Sequence, residues 1–90
     1  MRQIAFKSSF KKDLKRMICR GVNIPKMQIV ITHLQNDMPL SPKHRPHQLA
    51  GEWKGFMECH IEPDWLLIYD TSVLDTLMLH RTGTHSDLFE

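Results

Sequence analysis

Residues 51–69 read GEWKGFMECHIEPDWLLIY, and the way this stretch alternates decides the fold. Trp53, Gly55, Met57, Cys59 and Ile61 alternate with Lys54, Phe56, Glu58 and His60. Side chains on a strand switch face at every residue, so one face is apolar. The other face carries a base, an aromatic ring, an acid and an imidazole. Glu62-Pro63 then turns the chain into a second strand that runs to Tyr69. Mixed chemistry aligned on a rigid strand marks a candidate active surface.

Working outward, Arg2 to Phe6 is consistent with an opening strand through Ile4 and Phe6. Ser8 or Ser9 offers an N-cap oxygen for a helix. Phe10, Leu14, Met17 and Ile18 recur at helical spacing, Lys11, Lys12, Lys15 and Arg16 turn outward, and Gly21 stops the helix. A second helix starts near Pro25, packs through Met27, Val30, Ile31 and Leu34, and ends at Asn36-Asp37. Residues 38–51, MPLSPKHRPHQLAG, hold three of the five prolines together with Lys43, His44, Arg45 and His47. That composition predicts a long, stiffened, basic loop, and long loops in small domains commonly carry function. Asp70 to Asp75 reads as a turn, Thr76 to Thr82 as a last strand, and residues 84–90 as a closing tail. The order β-α-α-β-β-β predicts an α+β fold: a single domain, 1–90, with two helices on a mostly antiparallel four-stranded sheet.

The bulk numbers narrow the class. A chain of 90 residues, 41% apolar and 24% charged, folds as a small globular unit with a modest core. No run is long enough to span a bilayer, and the first residues lack the apolar core of a secretory signal, so the expected location is the cytoplasm. Cys19 and Cys59 fit neither a disulfide framework nor a metal spacing, and Cys59 falls on the apolar face. The net charge of +2 conceals an asymmetry. Residues 1–45 carry ten Lys/Arg against Asp13 and Asp37, a net of +8, whereas residues 46–90 net −6. A basic half this dense suits a polyanionic partner or a solvated helix face.

Six histidines are many for this length. His47, His60 and His85 all fall at loop–strand junctions, where imidazoles can exchange protons near neutral pH. The His44-x-x-His47 pair lacks helical placement and partner cysteines, so no metal site is expected. His33, His44 and His80 read as histidines without a role. Arg81 is the one arginine of the acidic half, and both a salt bridge and a phosphate clamp fit it. Phe89 suits either capping of the core or stacking on a base.

Two blocks, HQLAGEWKGFMECHIEPDWLLIY and RTGTHSDLF, together resemble the YafQ branch of the RelE/ParE superfamily of bacterial type II toxins. There L-x-G-x-W-K, H-I/V-x-P-D-x-L-L-I/V-Y and R-x-G-[ST]-H-x-x-L-F follow in this order. The resemblance spans the whole chain, with Met57 standing where relatives often carry arginine. It implies a toxin that cleaves messenger RNA on the translating ribosome, needs no cofactor, and is held inactive by a cognate antitoxin. It also implies a catalytic set of His47, His60, Asp64, Arg81 and His85, with Lys54, Trp65 and Phe89 at the substrate. Lys11, Lys12, Lys15 and Arg16 are then the residues expected to meet ribosome or antitoxin. The main alternative is a toxin similar to ParE that poisons DNA gyrase and needs no catalytic histidines. A third reading is a structural RNA-binding module with no reaction.

Overall fold

The structure, a computed structural model, describes residues 1–89. Strand β1 is Gln3–Phe6 and helix α1 is Ser8–Cys19, followed by α2, Ile24–Gln35. A short 3-10 turn at Pro42–His44 leads to β2, His47–Gln48, and a second such turn covers Gly51–Trp53. Strands β3 (Met57–Glu62), β4 (Trp65–Asp70) and β5 (Thr76–Gly83) complete the sheet, and helix α3 covers His85–Phe89. The sheet has five strands in the order β1-β5-β4-β3-β2, antiparallel except for β1 on β5. No helix among the described residues is long and apolar enough to cross a membrane.

The α+β class agrees with expectation, while three local readings change. A fifth strand, β2, lies within the proline-rich loop. The strand expected from Trp53 begins at Met57, because the chain first makes the Gly51–Trp53 turn. The tail forms a helix.

The two helices cover one face of the sheet. Phe10 and Met17 of α1 and Met27 and Val30 of α2 meet Cys59, Ile61, Trp65, Leu67, Tyr69, Leu77 and Leu79 in the main core. Burial of apolar area at about 25 cal/mol per Å² makes this the chief stabilising contact of the molecule. It also pushes the Cys59 thiol up to about 12, with the neighbouring Glu58 charge adding to the effect. Ile18 is 54% exposed and lies outside the helix stripe assigned to it from spacing. The opposite face buries a smaller group, Leu66, Ile68 and Leu88, against Leu49, Trp53 and Phe56.

Strand β1 pairs only with Thr76 to Leu79, which leaves the far end of β5 without a neighbouring strand on that side. Side chains of α1 take over there. Ser9 Oγ donates to the His80 carbonyl at 2.8 Å, and Asp13 Oδ2 accepts the Thr82 N–H at 3.2 Å. The β4–β5 register shifts between Ile68/Tyr69, so Ile68 faces Arg81 while Tyr69 faces Leu79. This bulge interrupts the alternation of Leu77 and Leu79 and puts Thr82 in the core.

Candidate active site

The mixed face of β3 holds the site. Glu58 and His60 lie opposite Ile68 and Leu66 of β4, on the sheet face away from α1 and α2. Strand β2 pairs His47 with Glu58, which brings the loop histidine onto the same surface. Glu58 Oε1 is 3.3 Å from His47 Nε2 and 3.7 Å from His60 Nε2. His85, the first residue of α3, closes the group from the other side, its ring centre 6.0 Å from that of His60.

Each of the three imidazoles is held in the same way. His47 Nδ1 donates to the Arg45 carbonyl at 2.9 Å, and His60 Nδ1 donates to the Pro63 carbonyl at 3.2 Å. His85 Nδ1 donates to Asp64 Oδ1 at 3.1 Å. A carbonyl or carboxylate oxygen can only accept, so the proton of each neutral ring sits on Nδ1. Nε2 is thereby left as the working nitrogen in all three. Arg45 holds its carbonyl toward His47 from a left-handed backbone (φ 44°), a conformation that costs a non-glycine residue about 1 kcal/mol or more. His44 lies behind the site, where its Nδ1 donates to the His60 carbonyl at 2.7 Å.

Asp64 sits at the tip of the β3–β4 hairpin and accepts both the backbone N–H and the ring of His85. The backbone hydrogen bond, and then the ring, holds its carboxyl below the usual carboxylate range, so it is anionic at neutral pH. Helix α3 itself starts in a capping box. Asp87 accepts the Thr84 N–H at 3.0 Å, and Thr84 Oγ1 accepts the Asp87 N–H at 3.2 Å. Arg20, the residue that caps the C-terminus of α1, grips the same Asp87 through two hydrogen bonds, tying α3 to the far side of the sheet edge. Gly83 gives way to this carboxylate, since a Cβ there would stand 2.9 Å from Asp87 Oδ2.

The structure thus gathers four of the residues expected at the site, His47, His60, Asp64 and His85. Phe89 adjoins them, 6.1 Å from the His85 ring and 41% exposed. Lys54 is exposed at the end of the Gly51–Trp53 turn. Arg81 is engaged elsewhere. Its Nε is 2.5 Å from Asp13 Oδ2 and its Nη2 is 3.2 Å from Oδ1, and these bonds raise its pKa. This is the ion-pair alternative, with Asp13 buried beneath it.

Trp65 as a substrate contact is corrected. It is 2% exposed in the helix-covered core, and its indole N–H donates to Thr82 Oγ1 at 2.8 Å. The tryptophan beside the site is Trp53, 6.3 Å from Phe89. Of the basic set on α1, Lys11, Lys12 and Lys15 are exposed, while Arg16 bonds Asp13 at 2.8 Å. All four lie on the helix covering the other face of the sheet. The residue that the reading of the sequence left out is Glu58. Its place opposite His47 depends on β2, a two-residue strand with no apolar alternation to announce it.

Residues 2–90 match the model of the bacterial toxin of the type II toxin–antitoxin system, YafQ. The chain is 39% identical over 90 residues to the mRNA interferase toxin YafQ of Escherichia coli K12, covering 98% of this chain and 96% of that one. The toxin in the E. coli DinJ–YafQ complex superposes with a TM-score of 0.90 at 37% identity, over the full length of both chains. A metal-bound toxin from Helicobacter pylori gives 0.92 at 40% identity, covering 99% of this chain and all of that one.

Proposed function

The chain belongs to the YafQ family of type II toxins and is an mRNA interferase, and from that premise we propose that it cuts translated message on the ribosome by general acid/base catalysis. The observation that carries this reading is the shared anchoring of His47, His60 and His85 through Nδ1, which turns three Nε2 atoms to proton transfer.

In the proposed reaction the 2′-hydroxyl of the nucleotide before the cut attacks the adjoining phosphorus. His60 Nε2, with Glu58 and His47 behind it, takes the hydroxyl proton as the new P–O bond forms. His85 enters this step as the imidazolium, paired with Asp64 through Nδ1, and gives its Nε2 proton to the departing 5′-oxygen as the P–O5′ bond breaks. The products are a 2′,3′-cyclic phosphate and a free 5′-hydroxyl. Asp64 keeps the His85 ring in place, and Lys54 offsets charge on the phosphorane. Arg81 uses Nε and Nη2 on Asp13, and the remaining Nη1 is its route to a phosphate oxygen. No cofactor or metal enters these steps.

The acidic half alone is a poor trap for free RNA. The exposed Lys11, Lys12 and Lys15 supply binding to ribosomal RNA remote from the cut, which aligns the message. The location that supplies this substrate is the cytoplasm. A cognate antitoxin, the counterpart of the partner in the E. coli complex, keeps the toxin silent, and an acidic segment suits the basic half.

Primer extension on a defined message, with and without ribosomes, tests the reading. Ribosome-dependent cuts at fixed codon positions are expected. His85→Ala should lose about 10²–10⁴-fold in rate, the usual worth of a positioned proton donor. A message with sulfur in place of the bridging 5′-oxygen leaves without protonation and should restore most of that loss. Full activity of His85→Ala on ordinary message would overturn the assignment, and absence of cuts from the unaltered toxin would favour the gyrase-poison alternative.

A further inference from the structure

Trp65 and Trp53 are a contrasting pair. The first is sealed in the core with its indole N–H bonded to Thr82. The second is only half-buried, on the face that carries the histidines, and its N–H meets no acceptor among the described residues. Among the described residues that N–H is not sealed from solvent either, so it is a donor open to a ligand. A tryptophan used for packing alone is expected to resemble Trp65, because a buried indole N–H usually finds a partner.

The surroundings of Trp53 point to a flat ligand. Its ring stands nearly perpendicular to Phe56 (74°, 5.6 Å) and to Phe89 (81°, 6.3 Å). Phe89 in turn lies 6.1 Å from His85, and His85 lies 6.0 Å from His60. A row of rings therefore leads from the proton-transfer groups to Trp53. Two perpendicular rings form a corner in which a planar group lies flat on one and edge-on to the other. Exposed Lys54 follows Trp53 directly in the chain and offers a cation to the attached phosphate.

We propose that Trp53 is a specificity-determining residue of the nuclease: with Phe89 it seats a nucleobase next to the cut and gives its indole N–H to an acceptor on that nucleotide. The inference rests on the nuclease reading above. Base-on-aromatic stacking is tolerant of sequence, whereas a hydrogen bond from a fixed donor is not, so the indole N–H sets preference while the ring sets affinity.

The test compares Trp53→Phe and Trp53→Leu with the unaltered toxin, by primer extension on one message carrying many codons. Thermal melting and capture by the antitoxin check the fold. Leucine keeps apolar bulk but removes the π-face, so kcat/KM should fall about 5- to 100-fold, mostly through KM. Phenylalanine keeps a face and removes the donor, so it should lose less rate yet change the rank order of cut sites. Uniform losses at every site that follow a lowered Tm would overturn the proposal and leave Trp53 as a prop for α3. So would unchanged rates and an unchanged cut pattern. If the leucine variant fails to fold, the phenylalanine variant decides by its cut pattern alone. His85→Ala, run alongside, slows cutting about 10²–10⁴-fold at every site irrespective of codon. A toxin without cuts in its unaltered form sinks the nuclease reading instead of this one.

Discussion

Glu58 is 4% exposed and bonded to no lysine or arginine among the described residues; it lies beside two imidazole Nε2 atoms, at 3.3 and 3.7 Å, which attract it only when a proton sits on one of them. Burying a charge without a partner costs several kcal/mol, so the arrangement is stable only while proton and carboxylate are shared locally. Glu58→Gln preserves volume and hydrogen-bonding reach but removes the charge. We expect it to fold with a stability change of about 1 kcal/mol. It should cut message about 10–100-fold more slowly, since the proton taken by His60 loses its counter-charge. Thermal melting and single-turnover cleavage measure the two effects separately, and a fully active variant would remove Glu58 from the mechanism. Trp65 follows Asp64 directly in the chain, yet Asp64 stays in the hairpin turn while Trp65 opens β4 on the face that joins Leu67 and Tyr69 in the core.

Helix α3 is five residues long, too short to be stable by itself, so its position depends on its ends. Thr84 and Asp87 cap it reciprocally, and Arg20 holds Asp87 from the end of α1. The Arg20 bond, followed by the Thr84 N–H, keeps the Asp87 carboxyl far below the usual carboxylate range. In the unfolded chain this group titrates near the ordinary value of about 3.9. A depressed folded pKa means the unfolded chain binds more protons on acidification. The stabilisation is therefore complete above about pH 5 and is lost as pH falls through 4 and below. Asp87→Asn should lower stability by about 1–2 kcal/mol at pH 7, allowing for the half-exposed Arg20. The gap between variant and parent should close in denaturant melts taken progressively below pH 4. A gap independent of pH would contradict the assignment. Because His85 and Phe89 ride on α3, the same change should also slow cleavage.

At the scale of the whole molecule, the sheet separates two surfaces. The histidines and Glu58 lie on one face, and α1 with Lys11, Lys12 and Lys15 lies on the other. A partner can therefore grip the basic helix without filling the site. Replacing those three lysines with glutamine should weaken ribosome binding and flatten its dependence on salt, since every phosphate left without its lysine lowers the slope by about one unit. The fold should be unaffected, because the three side chains are exposed. Ribosome binding that keeps its salt slope in a sedimentation assay would rule out α1 as the binding surface. Arg16 is left out of this set because it is bonded to Asp13.

Periodicity within short spans was enough to place the two long helices, the central hairpin and the class of the fold, though not α3. Met27, Val30, Ile31 and Leu34 line up at helical spacing and do pack inward, as Met57, Cys59 and Ile61 do at strand spacing. The two motif blocks likewise named His47, His60, Asp64 and His85. Which of these groups meet, and through which atoms, follows from contacts between distant parts of the chain. Glu58 gains its role from a two-residue strand, Arg81 from a buried aspartate 68 positions away, and Trp53 from a turn that moves it to the other face. Such pairings join residues far apart in the chain, and no local period records them. A bulge or a single turn shifts the alternation by one residue and sends the side chain to the opposite side of the sheet.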